Sequence, residues 1–177
     1  MIYSTPDQLE ALSMADTIAL INHGKVEQIG SPDQLFDNPS NTFVAKFIGD
    51  PPMNILDARL ENGDVVIDCD VNFQFPLPKD APHSLADHTK KAKLLVGIRP
   101  KDIKLVSGDS KSKHTRGRVS DFDTLGQTTI VIVMVGCLEL KVKVATEDAP
   151  SRDELINLEL DTTKMHFFNS ANCQRIE

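Results

Sequence analysis

The spacing of apolar residues changes character once along this chain of 177 residues. Up to residue 50 it is mixed. Thr5-Pro6-Asp7-Gln8 reads as a helix start, with Thr5 as N-cap, Pro6 at the first helical position and Gln8 completing a capping box. Leu9, Leu12 and Ala15 then share a face at helical spacing. Ile18 to Ile21 form an apolar run, Asn22-His23-Gly24 a turn, and Lys25 to Ile29 a returning strand. Ser31-Pro32-Asp33-Gln34-Leu35 repeats the start grammar and predicts a second helix, which Pro39 stops. Phe43, Val44, Phe47 and Ile48 mark one face of a third helix, closed by Gly49. Asp50-Pro51-Pro52 is a stiff linker, so the expected units are 1–52 and 53–177.

From residue 54 the period becomes two. Strands are expected at Ile55 to Leu60, Val65 to Cys69, Val71 to Leu77, Leu94 to Ile98, Arg116 to Phe122 and Thr128 to Val135. The series continues with Leu138 to Val144, Ile156 to Leu160 and Met165 to Phe168. Residues 78–92 and Ser107 to Lys113 read as polar loops. Many short strands with polar turns predict a mainly β fold of one or two small OB-like barrels, preceded by a small α/β unit. The second unit is expected to fold by itself and to be the more stable.

Charge narrows the function. A net charge of −7 lacks the basic face that a general nucleic-acid binder needs to displace counterions. Cys69, Cys137 and Cys173 are far apart, which points to buried free thiols in a reducing compartment. No signal-peptide pattern and no apolar run of membrane-spanning length is present.

Candidate chemistry is sparse. His83 and His88, with Asp80 and Asp87, lie in one polar loop and form a weak metal-site candidate beside a solvated-loop reading. Asp68 and Asp70 flank Cys69 and read as a solvent-facing edge rather than an acid pair. Lys90, Lys91 and Lys93 make a short basic run, solvated or docking a partner. Phe73 and Phe75 could stack bases on an OB surface, although core packing fits the acidic balance better.

One larger pattern remains. Asp7-Gln8, Glu10-Ala11 and Ala15-Asp16 are followed by Gly24 to Pro32, Pro39, Phe43 to Gly49 and Met53-Asn54. That order resembles the end of the ATPase subunit of sugar-importing ABC transporters, the maltose and glycerol-phosphate type. Gly97-Ile98-Arg99-Pro100-Lys101-Asp102-Ile103 resembles a signature of that family's C-terminal regulatory domain, built of OB-like (TOBE/MOP-like) folds. Gly117-Arg118-Val119 and Leu125-Gly126-Gln127-Thr128 fit its next strand pair. The motif positions singled out are therefore Gly97, Arg99, Pro100, Asp102, Leu125 and Gly126.

The departures matter as much. The family's Thr-His-Asp-Gln switch, whose histidine contacts the ATP γ-phosphate, is Thr5-Pro6-Asp7-Gln8 here, and Pro6 has no ring nitrogen to offer. No G-x-x-x-x-G-K-[ST] phosphate loop, no apolar run ending in Asp-Glu and no Leu-Ser-Gly-Gly-Gln-like signature occurs. The resemblance implies ATP and magnesium for the full-length family, but no ATP hydrolysis and no cofactor for this chain alone. It implies a homodimer, permease subunits as partners of the whole protein, a regulatory protein as a possible further one, and a place on the cytoplasmic face of the membrane. No nucleic acid is expected. The other functions weighed are a stand-alone oxyanion-binding barrel and an OB-type nucleic-acid binder. The chain is further expected to be a truncated piece, or a split or decayed gene product. In that reading Met1 to Thr5 is a core strand without its neighbours, and Ile2, Ile18, Leu20 and Ile21 are exposed.

Overall fold

The structure is a computed structural model that describes residues 1–82, 84–85, 93–106 and 115–177. Helix α1 (Gln8–Met14) starts two residues later than the capping-box reading has it. Asp7 is the N-cap, its carboxylate accepting from the Leu9 and Glu10 amides. A charged acceptor at the positive end of a helix outcompetes a hydroxyl two residues earlier. Thr5 Oγ1 instead accepts from the Asp7 amide and donates to Glu10. Pro6 lies outside the helix, and Gln8 Oε1 accepts from the Gly49 amide, 2.9 Å away.

Strands β1 (Ile18–Asn22) and β2 (Lys25–Gly30) form the expected hairpin, with positive φ at His23 and Gly24. Helix α2 (Pro32–Asp37) carries the full capping box between Ser31 and Gln34. Helix α3 (Thr42–Phe47) is capped by Asn41. Ile18, Leu20, Leu35, Val44 and Ile48 close a small core of their own. Two expectations fail here. Met1 to Thr5 is irregular and mostly exposed rather than a core strand, and Ile18 and Leu20 are covered by the helices. Ile2 and Ile21 are exposed, as is Leu9, which the helical face had placed inward.

Among the described residues, those beyond the linker form ten strands in two five-stranded antiparallel sheets. One runs β12 (His166–Asn169), β6 (Lys93–Ile98), β3 (Asn54–Glu61), β4 (Asp64–Ile67), β5 (Gln74–Pro76). The other runs β10 (Leu138–Ala145), β9 (Thr128–Val135), β8 (Thr115–Leu125), β11 (Leu155–Leu160), β7 (Ile103–Val106). Strand β7 follows directly on the motif around Arg99, and the period-two reading missed it. Both sheets share one core, in which Leu56, Val96 and Ile98 of the first pack with Val131, Val133 and Leu140 of the second. This is an OB-like architecture, mostly β.

A side chain stitches the sheets at their junction. Asn54 Oδ1 accepts from the Lys141 amide and Asn54 Nδ2 donates to the Lys141 carbonyl, both at 2.9 Å. The carboxamide thus completes the unpaired outer edge of β10 as a strand would. In the turn before β10, Asp70 Oδ1 accepts from the Cys137 amide at 2.7 Å, which holds the Asp70 carboxyl below its usual range.

Candidate functional site

Four of the six motif residues meet where the α/β unit abuts the barrel. Gly97 lies in β6 with no room for a side chain, since a Cβ there would sit 2.5 Å from Met53 Sδ and 2.9 Å from Phe168. Its strand ends by delivering Arg99, only 3% exposed, into the seam. Pro100 begins a single 3-10 turn, Pro100–Asp102, and is buried. The turn points the chain from β6 of the first sheet to β7 of the second.

Arg99 is the hub. Its Nη1 donates to the Ile48 carbonyl at 2.7 Å, and Nη2 donates to the Phe36 carbonyl. Both acceptors sit at helix C-termini, of α3 and α2, where carbonyls lack intrahelical partners and the dipole is negative. The guanidinium carbon also lies 3.7 Å from the Phe36 ring centroid. Lys101 Nζ lies over the same ring at 4.7 Å. Gly49 makes the approach possible, because a Cβ there would meet Arg99 Nη1 at 2.7 Å. One arginine thus ties two helix ends of the first unit to the start of the barrel. Burial lowers its pKa to about 10, against the pull of Asp37 and Asp102, and it stays charged at neutral pH.

The seam opens into a cleft of about 430 Å³. Arg99, Lys101 and Asp102 line it together with the end of α2 and with the C-terminal segment, Lys164, His166 and Arg175 among them. Burial drives the His166 pKa down to about 4, with Arg175 and Arg99 adding to the effect, so its imidazole is neutral. Burial pushes the Asp102 carboxyl up. Two polar atoms of these residues, Arg99 Nε and His166 Nδ1, are sealed from solvent and have no hydrogen-bond partner among the described residues. Sequence reasoning flagged Arg99 and Asp102 but missed His166, Lys164 and Arg175. No local pattern marks these, because only chain return brings them to the motif.

The other candidates fall elsewhere. Leu125 and Gly126 form the exposed tip of the β8–β9 hairpin, away from the cleft. Pro6 is exposed at the entry to α1. Asp68 pairs with Arg59 while Asp70 holds Cys137, so the two carboxylates have separate tasks. Phe73 is buried and makes an edge contact with half-buried Phe75, which leaves no pair of faces for bases. Cys137 and Cys173 are exposed and Cys69 is half-buried, so the reading of buried thiols is corrected. His83, His88, Asp87, Lys90, Lys91 and the loop Ser107 to Lys113 lie outside the described residues. Asp80 is on the cleft wall, and Lys93 opens β6. Among the described residues no group of three metal-ligating side chains forms, and no helix is long and apolar enough to cross a membrane.

Comparison with known proteins agrees with this layout. The MalK OB fold domain family matches residues 49–103, and the TOBE domain family matches 96–168. The overlap of the two contains the motif from Gly97 to Asp102. The trehalose/maltose import ATP-binding protein MalK of Thermococcus litoralis is 34% identical, over 99% of this chain and 48% of its own length. The sn-glycerol-3-phosphate import ATP-binding protein UgpC of Psychromonas ingrahamii is 30% identical, over 99% of this chain and 46% of its own. The alpha-glucoside transport ATP-binding protein AglK of Rhizobium meliloti is 30% identical, over 96% and 46%. The chain spans about half the length of the curated relatives it matches. In fold alone it is similar to the cytoplasmic molybdate-binding protein ModG, with a TM-score of 0.52 at 9% identity, covering 64% of this chain and 94% of that one. With its MalK-type OB fold and its TOBE domain, the chain belongs to the family of ABC importer ATP-binding subunits for sugars and glycerol phosphate, and corresponds to their C-terminal part.

Proposed function

We propose that this chain is the regulatory and dimerisation portion of an ABC importer ATPase subunit for carbohydrate or glycerol-phosphate uptake, without ATPase activity by itself. In this reading residues 1–52 are the tail of the nucleotide-binding domain and 53–177 the regulatory domain. The observation that carries it is the Arg99 clamp, which fastens the ends of α2 and α3 to the barrel. A regulatory domain acts on a nucleotide domain only if a rigid joint transmits its position, and a buried arginine bonded to two helix ends is such a joint. Ile21, Val26 and Ile29 on the β1–β2 hairpin, with Leu9 and Met14 on α1, are exposed and apolar. They suit packing against the remainder of a nucleotide domain.

Lack of ATPase activity rests on the sequence, which has no phosphate loop and has Pro6 at the switch position. ATP and Mg²⁺ would act in the full-length family, and permease subunits would be met through it on the cytoplasmic face of the membrane. Calorimetric titration with Mg-ATP should be flat, and saturable micromolar binding would overturn the reading. Sedimentation of the full chain and of residues 51–177 tests the homodimer. Pairing through the barrel persists in the shorter chain, whereas two monomers at tens of micromolar would remove dimerisation from the proposal.

A further inference from the structure

Residues 173–176 run between the two units and use both edges of their backbone. On one side they add to the outer edge of β12. The Asn169 amide donates to the Gln174 carbonyl and the Ile176 amide to the Phe167 carbonyl, both at 2.8 Å. Phe168 and Arg175 form an antiparallel bridge between these bonds. On the other side they pair with the link between α2 and α3. The Thr42 amide donates to the Cys173 carbonyl at 3.0 Å, the Arg175 amide donates to the Ser40 carbonyl at 2.8 Å, and Asn41 bridges Gln174. That link is itself anchored to β2, since the Ser40 amide donates to Gln28 Oε1 and Asn41 Nδ2 donates to Glu27 Oε2, both at 2.8 Å. Two fixed backbone edges thus face each other across a slot that takes one strand.

The strand in this slot is held differently from its neighbours. Phe167 and Phe168 of β12 are buried, whereas no residue from Ser170 to Glu177 is. Of its side chains, half-buried Ile176 packs against the main core, and Arg175 Nη1 donates to Asn38 Oδ1 at 2.9 Å. Backbone bonds with little buried apolar surface return little beyond the entropy of ordering the segment. Such a strand opens ahead of the sheet it borders.

We propose that residues 173–176 are a displaceable latch strand, and that the slot between β12 and residues 40–42 is a docking site for an extended peptide carrying a cation followed by an aliphatic residue. The occupant in this structure is the chain's own Arg175-Ile176 stretch, and the same stretch on a separate peptide fits the same bonds. Main-chain pairing supplies the attraction, while Asn38 and the rim of the core select the two side chains. With the latch seated, the edge of the barrel and the α2–α3 link are tied directly. With it released, the Arg99 clamp remains but this second attachment is lost. The slot is a property of the chain's own backbone and does not rest on the role in a transporter proposed above.

The test is made on the full chain. Arg175→Pro removes the amide held by Ser40 and the side-chain bond to Asn38. Hydrogen exchange by mass spectrometry should accelerate by about tenfold or more in residues 38–42 and 169–176 and stay unchanged in β9. A fluorescent synthetic peptide of residues 170–177 is then titrated and followed by anisotropy. It should saturate on the Arg175→Pro chain with a Kd below about 1 mM. The wild-type chain should bind it at least about tenfold more weakly, because there the tethered segment holds the slot at high effective concentration. The same peptide carrying Arg175→Pro should not bind the variant. The proposal is overturned if exchange in residues 38–42 and 169–176 is unchanged, or if β9 accelerates with them, which would make the segment part of the core fold. It is equally overturned if the peptide fails to saturate the variant by about 10 mM, or if it binds the wild-type chain as tightly.

Discussion

Replacing Arg99 by methionine is the sharpest perturbation this structure suggests. The side chain keeps its apolar bulk but loses the guanidinium. Two charge-assisted hydrogen bonds to the Ile48 and Phe36 carbonyls disappear, each worth about 1.5–3 kcal/mol. The stack on Phe36 adds about 0.5–2 kcal/mol. Against this stands the cost of burying the charge, visible in the lowered pKa of Arg99. A net loss of about 2–4 kcal/mol follows, a large share of the roughly 5–15 kcal/mol that holds a domain together. Location matters more than size. Two helix C-termini lose their caps, so amide exchange in α2 and α3 should accelerate well before exchange in β9, which is paired on both sides within its sheet. Urea unfolding gives the total, and hydrogen exchange by mass spectrometry gives the distribution. Arg99→Lys keeps the charge but not the fork and should lose about half as much. A total loss below about 1 kcal/mol, or equal acceleration in the helices and in β9, would refute the clamp as the joint between the units.

Three further outcomes are expected. Asn54→Ala should cost about 1–3 kcal/mol in urea unfolding because it frees both backbone groups of Lys141, and a neutral result would mean that the sheet junction holds without it. Gly97→Ala should cost about 1–3 kcal/mol, since its Cβ meets Met53 and Phe168, and Met53→Ala in the same chain should recover part of the loss. His166 has its pKa depressed from 6.5 to about 4, so the unfolded chain takes up a proton that the folded one refuses. The stability owed to the neutral imidazole is present above about pH 6.5 and is lost as pH falls to about 4. At 1.4 kcal/mol per unit, discounted for partial exposure, this is about 1–2 kcal/mol. His166→Gln should flatten that part of the stability profile between pH 6.5 and pH 4, and an unchanged slope would place the acid sensitivity elsewhere.

Local chemistry made much of this protein legible in its sequence. The Asn22 to Lys25 turn, the Ser31–Gln34 box and the β8–β9–β10 meander follow from period, turn residues and caps, which act within a few residues. Where two local signals compete, as Thr5 and Asp7 do for one helix end, pattern alone chose the wrong cap, because electrostatics favoured the carboxylate. The motif from Gly97 to Asp102 was visible as a string, but its purpose was not. Arg99 acts on carbonyls 51 and 63 residues away, and a backbone carbonyl has no sequence signature. The two-sheet layout, with β12 returning to pair with β6, and the inclusion of His166 and Arg175 in the cleft likewise depend on which distant segments meet. Ile18 and Leu20 show the same limit from the other side, since apolar pattern says that they need cover and only the packing of α2 and α3 says what covers them. Local pattern carried most of the helices and strands, though not β7, and it placed a strand at Met1 to Thr5 where none forms. Tertiary structure alone decided the joint and the cleft, because both are made by contacts whose partners lie tens of residues apart.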